Sequence, residues 1–191
     1  MARQHGITSQ TVERFLIDEG AVYKNYGTEN EELLGATRGG NSWTIEQDVR
    51  EIEMAGAPGP VKGGRRIIES RAQLQVSLLE LTADNLAMAL AGSELEDHTA
   101  DGETDPTHDS ITRKRRLQAS DYLENIALVG EVSGRSTPAV FLVKNALADD
   151  ELEIEMEDRE EAEIEITFTA HFDPDNMEEE PWEVRWPKEA S

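Results

Sequence analysis

Between residues 68 and 78, apolar and polar side chains keep to a period of two. Ile68, Ala72, Leu74, Val76 and Leu78 fall on one side, and Glu69, Arg71, Gln73, Gln75 and Ser77 on the other. That period marks a strand with one dry face. It returns late in the chain, where Leu152, Ile154 and Met156 alternate with Glu151, Glu153, Glu155 and Glu157. After residues 158–161, Ile164, Ile166, Phe168 and Ala170 alternate with Glu163, Glu165, Thr167 and Thr169. The two runs read as a hairpin with one oily and one acidic face. A chain patterned in this way is expected to be mainly β: an antiparallel β-sandwich or barrel with one short packed α-helix and extended loops or arms.

The remaining elements fit between these strands. Residues 15–26 read as a first strand. In 43–54, Trp43, Ile45 and Val49 share a face before the apolar phase slips to Ile52 and Met54, which predicts a bulge. Glycines and prolines across 56–64 form a connection that excludes helix. Thr82 is a plausible N-cap, with Asp84 and Asn85 in the first turn and Leu86, Ala87 and Leu90 at helical spacing up to Gly92, a helix of about ten residues. Strands are expected again over 111–117, 122–132 and 139–147. Residues 93–110 hold seven acids, two histidines and almost nothing apolar, and read as a solvated acidic loop. The division expected is an arm (1–14), a β-sandwich domain (15–173) and an acidic C-terminal tail (174–191) in which Trp182 and Trp186 are docking points.

Charge narrows the function classes. The 191 residues carry 41 Asp and Glu against 18 Lys and Arg, a formal net charge of −23. Such a surface repels phosphate backbones and anionic membranes, so neither specific nucleic-acid binding nor a membrane partner is expected. No apolar run approaches the roughly 18 residues of a membrane-spanning helix. No secretory signal is visible at the N-terminus, so the expected compartment is the cytoplasm, or release by lysis. Cysteine is absent, which removes disulfides, thiolate nucleophiles and Cys-ligated zinc. Five lysines against thirteen arginines, with so many acids, points to work in concentrated salt, where the Debye length shrinks to about 3 Å at 1 M. A functional acidic lining explains the same excess.

Signs of chemistry are sparse. His5, His98, His108 and His171 form no HExxH pair and neighbour no nucleophile elbow, and His171 reads as a solvated residue on a polar strand face. No catalytic residues and no cofactor are expected. Asp97, Asp101 and Asp105 occupy positions 1, 5 and 9 of an EF-hand-like spacing, but position 12 is His108 and Pro106 opposes a following helix. They are weak cation-ligand candidates. Arg113, Lys114, Arg115 and Arg116 form the densest basic cluster, suited to an acidic surface on the same or an adjacent subunit.

The order Leu34-Gly-Ala-Thr-Arg-Gly-Gly-Asn-Ser-Trp-Thr-Ile-Glu46 comes first, then Arg50-Glu-Ile-Glu53, Gly56 and Gly59-Pro-Val-Lys-Gly63. It leads into the strand at 74–81 and the helix start at Thr82. Over about a third of the chain this resembles the tail tube protein, or major tail protein, of long-tailed double-stranded DNA viruses. The closing strand, Phe168-Thr-Ala-His-Phe-Asp173, fits the same family.

The resemblance implies a non-enzymatic virion protein, assembled in the host cytoplasm, whose hexameric rings stack into the tail tube that delivers genome DNA. It implies partners in the chain itself and in tape measure, tail terminator and distal tail proteins, with DNA passing unbound. Glu153, Glu155, Glu163 and Glu165 are then candidates for the lumen wall. Gly56, Pro58, Gly59, Pro60 and Lys62 are candidates for an inter-ring loop. The alternatives are the tube of a related contractile secretion-type machine and an acidic divalent-cation-binding module.

Overall fold

The computed structural model describes residues 11–152, 154 and 161–188. Ten strands and one α-helix follow in order: β1 (Leu16–Lys24), β2 (Glu32–Leu33), β3 (Ser42–Glu51), β4 (Arg65–Leu78), α1 (Ala83–Met88), β5 (Ser93–His98), β6 (His108–Arg113), β7 (Leu123–Val132), β8 (Ala139–Ala148), β9 (Ile164–Thr169) and β10 (Trp182–Arg185). All pairings are antiparallel. The mainly β, sandwich-like expectation holds.

Two sheets face each other and share one strand. The first runs β2-β1-β7-β8-β10 and the second β3-β4-β9. β8 pairs with β10 through Val140–Val143, then with β9 through Leu147 and Ala148. Between these contacts lies Asn145, with φ of +46°, a left-handed conformation that asparagine tolerates better than most residues. Its amide Nδ2 donates to His171 O at 3.0 Å, which pins the corner. The inward phase of β8 changes there: Val143 points into the core before Asn145, Ala146 and Ala148 after it.

The core follows the alternation. Ala72, Leu74, Val76 and Leu78 of β4 and Ile164, Ile166 and Phe168 of β9 are buried against Val22, Ile126 and Val143 of the first sheet. Trp43 and Ile45 of β3 pack on the same cluster. A smaller cluster, Ala127, Val140 and Leu142 with Tyr26 and Val129, covers part of the first sheet's other face. In β1 the register slips between Ile17 and Ala21. Gly20 sits there at φ +76°, and a Cβ would stand 2.7 Å from Leu128 Cδ1. Only glycine fits both the backbone and the space.

Several expectations need correction. The segment 93–110 is not one loop, because β5 and β6 pair along their whole length, including Leu95 with Ile111. Only residues 99–107 connect them. Polar strands of this kind carry too little apolar alternation to be seen in sequence. Residues 174–191 are not simply a tail: β10 joins the first sheet, and Trp182 meets Trp43 edge to face at 5.8 Å. His171 is half-buried rather than solvated; its Nδ1 lies 3.0 Å from Thr169 O and its ring packs edge to face on Tyr122.

The helix is shorter than expected, six residues, yet Thr82 caps it by accepting from Asn85 N at 3.1 Å. Ala89 is buried at its end, and Leu86 packs on the core from a half-buried position. β4 begins three residues earlier than the alternation indicated, and Ile68, expected on the dry face, is 59% exposed where the ladder register slips past it. The bulge lies in β4 rather than β3: consecutive Asp48 and Val49 pair with Glu69 and Ile67, so Ile68 is the extra residue and Val49 keeps the face of Trp43. The run from Leu152 to Met156 lies mostly outside the described residues, though Ile154 bridges Ile164.

Candidate assembly surfaces

Because the dry residues of β3, β4 and β9 point inward, the opposite residues form a continuous polar face. Register aligns Ser42 with Gln75, Thr44 with Gln73, Glu46 with Arg71, Gln75 with Thr167 and Ser77 with Glu165. The Gln73 amide donates to Thr169 Oγ1 at 3.1 Å, and the Gln75 amide donates to Glu165. Ser42 Oγ also donates to Gln75 Oε1 at 3.3 Å, so amides and hydroxyls link neighbouring strands along part of this face. Glu165 stands on it. Glu163 lies at its end, 3.4 Å from the Arg38 guanidinium, which also reaches Glu161 at 3.6 Å. Glu153 and Glu155 lie outside the described residues.

Beyond the bulge, β3 and β4 continue together past the edge of the sandwich. Val49 pairs with Ile67, Arg50 with Arg66 and Glu51 with Arg65. Ile52 N bonds to Gly64 O at 2.7 Å, and Gly64 N to Val61 O at 2.8 Å, which closes the base of the connection. Gly56, Pro58, Gly59, Pro60 and Lys62 are all exposed at the tip. Apolar side chains are exposed along the whole projection: Val49 (44%), Ile52, Met54, Val61 and Ile67 (54%). Across 49–67 the cations Arg50, Lys62, Arg65 and Arg66 outnumber the acids Glu51 and Glu53, so the projection is positive on a chain of −23. Arg50 and Arg66 stand directly opposite each other, and like charges in that relation destabilise an isolated ladder.

No protein-family model matches the chain, and no curated protein matches it. Solved structures are similar, two of them as follows. One is a chain of the virion of a native gene transfer agent particle, 9% identical, with a TM-score of 0.46 over 83% of this chain and 96% of that chain. The other is a chain of the tail of an empty particle of that kind, with C6 symmetry, 10% identical, with a TM-score of 0.40 over 81% of this chain and 92% of that chain.

The other sequence candidates separate. Of the basic cluster, Lys114 is engaged, 3.4 Å from Glu94 and 3.5 Å from Asp121. Arg113, Arg115 and Arg116 are exposed. Asp97 lies in β5, while Asp101 and Asp105 lie in the turn beyond it. Among the described residues no three His, Asp or Glu side chains gather in metal-holding geometry. An open groove of ≈ 300 Å³ beside β10 is acidic, but its groups are occupied with one another. Lys144 pairs with Glu179, the Trp182 indole donates to Glu180 Oε2 at 3.0 Å, and Arg185 donates to both Glu183 oxygens at 2.9 and 3.1 Å. The Arg185 hydrogen bonds hold the Glu183 carboxyl below its ordinary range.

What sequence reading missed was the character of the projecting hairpin. The alternation sets Val49 on the face of Trp43 and Ile45 and gives Ile67 no place, so the exposed Val49–Ile67 pair is not visible from it. The signal was present in the local charge, which reverses sign between residues 49 and 67.

Proposed function

We propose that this chain is the non-enzymatic subunit of a viral tail tube, assembling as hexameric rings that stack into a conduit for genome DNA. The observation that carries the reading is the β3–β4 projection. An apolar, positive hairpin on a strongly acidic chain is a costly surface to leave in water, and it complements the rest of its own molecule. A second copy, acidic almost everywhere else, is the partner that fits. The family resemblance of residues 34–92 supports the same conclusion, with Gly56, Pro58, Gly59, Pro60 and Lys62 reaching the next ring.

In this reading the polar face of β3, β4 and β9 lines the lumen. Amides, hydroxyls and the carboxylates of Glu46 and Glu165 dominate it. Arg71 stands opposite Glu46 with its guanidinium 3.6 Å from Glu69. That leaves DNA little cationic foothold, since phosphate affinity depends on cations displacing counterions. The test is negative-stain electron microscopy with light scattering on the purified chain. Rings or tubes are expected at high protein concentration. Val49→Ser with Ile67→Ser, or Arg50→Glu with Arg66→Glu, should stop stacking while the fold persists by circular dichroism. A wild-type chain that stays monomeric across salt and concentration overturns the proposal.

A further inference from the structure

The β5–β6 hairpin has its base on α1, where Ser93 Oγ donates to Ala87 O at 2.5 Å and Lys114 N to Gly92 O at 2.9 Å. Its far end bears two histidines. His98 and His108 are directly opposite each other in the ladder, so their side chains share a face, and both are exposed. Their ring centres are 6.3 Å apart. An ion held about 2.0–2.1 Å from one nitrogen of each imidazole sets the two ring centres roughly 5–6 Å apart, a spacing reached here by small side-chain rotations.

Thr107 stands within hydrogen-bond reach of the pair. Thr107 Oγ1 lies 3.5 Å from His98 O, a backbone acceptor to which the hydroxyl can only donate. The same oxygen is 2.8 Å from His108 Nδ1. When the hydroxyl proton is directed at that carbonyl, Oγ1 can accept from Nδ1–H, the tautomer in which Nε2 keeps its lone pair. Metal-bound histidines use this device: one ring nitrogen donates to a fixed partner while the other ligates. Glu96 lies on the same face two residues from His98, and Asp97 and Asp109 oppose each other on the reverse face. These carboxylates raise the local concentration of dications.

We propose that His98 and His108 form a two-imidazole site for a late first-row divalent ion, of the Ni²⁺, Cu²⁺ or Zn²⁺ class, with water in the remaining positions. Imidazole ligands select these ions over Mg²⁺ and Ca²⁺, which prefer oxygen. The site is independent of assembly and does not use the carboxylate spacing of Asp97, Asp101 and Asp105.

Isothermal titration of the tag-free full-length chain with NiCl₂ and ZnCl₂ tests it, with CaCl₂ in parallel. Saturable binding at one ion per chain is expected. His98→Gln and His108→Gln should each lower affinity at least tenfold, and Thr107→Val several-fold, with circular dichroism unchanged. Asp101→Asn should leave the affinity as it is. Binding that survives both histidine substitutions, or that Ca²⁺ matches and Asp101→Asn removes, overturns the proposal, as does the absence of saturable binding.

Discussion

Trp43 and Trp182 meet edge to face with ring centres 5.8 Å apart, one from β3 of the second sheet and the other from β10 of the first. Phe141 of β8 joins them, 5.4 Å from Trp43. The segment that closes the chain is therefore tied to the opposite layer by aromatic packing. Trp182→Ala should lower unfolding free energy by about 2–4 kcal/mol, slightly below the usual range for a fully buried Trp. Urea denaturation followed by circular dichroism measures it, and a loss under about 0.5 kcal/mol would mean that β10 is peripheral.

The short helix depends on two polar residues. Thr82 caps it, and the buried Asn85 amide donates to Leu34 O at 3.1 Å and Glu80 O at 3.0 Å. Thr82→Ala should cost about 1 kcal/mol. Asn85→Leu should cost more, about 2–3 kcal/mol, because it strands two carbonyls. Equal losses in the same denaturation assay would show that the carbonyls find other partners.

Arg185 stabilises the charged form of Glu183, so the Glu183 carboxyl is depressed in the folded state. A depressed carboxyl adds stability that is complete above the unfolded value, about 4.3, and is lost as pH falls through the folded one. The stability difference between wild type and Glu183→Gln should therefore be flat above about pH 5 and shrink below it. A difference that grows on acidification would reverse the sign of the coupling.

Net charge makes this fold sensitive to salt. The Debye length falls from about 10 Å at 0.1 M to about 3 Å at 1 M, which screens the mutual repulsion of the acids. Thermal midpoints should rise steadily from dilute buffer to molar KCl. A steady fall would contradict adaptation to concentrated salt and leave the tube reading intact.

If the polar face lines a lumen, reversing its charge should make the wall hold DNA. Glu163→Lys with Glu165→Lys adds two cations per chain and takes from Arg38 one of its two acidic partners, the one at 3.4 Å. Assembled tubes of this variant should retain double-stranded DNA in low salt and release it as salt rises, with a log-log slope that grows with the phosphates contacted. Unchanged DNA retention would remove this face from the lumen.

Where alternation and burial coincide, the fold was readable from sequence. Leu74, Val76, Leu78, Ile164, Ile166 and Phe168 were assigned inward on periodicity alone, and all are buried. Thr82 was equally clear, because a cap acts through its own residue type within one turn. What stayed hidden depends on distant partners. β5 and the start of β6 have almost no apolar pattern; the strand expected over 111–117 meets only the end of β6, and their mutual register reveals the rest. β10 is four residues whose place is set by β8, some forty positions earlier. Val49 looked like core because periodicity records which face a residue occupies, not where the opposing sheet stops. His98 and His108 are ten residues apart, and only the turn between them makes them neighbours.

β8 belongs to both layers through one unbroken backbone that turns at Asn145. A sandwich of separate sheets can yield to a sideways load by letting one layer slide over the other, disturbing only side-chain contacts. Here sliding would stretch a covalent strand and tear the Asn145–His171 hydrogen bond at its elbow. Shear along the layers is resisted by bonded geometry as well as by oily packing. A tube wall built from such units would carry bending and axial strain as a stiff shell, and give first at the joints between copies.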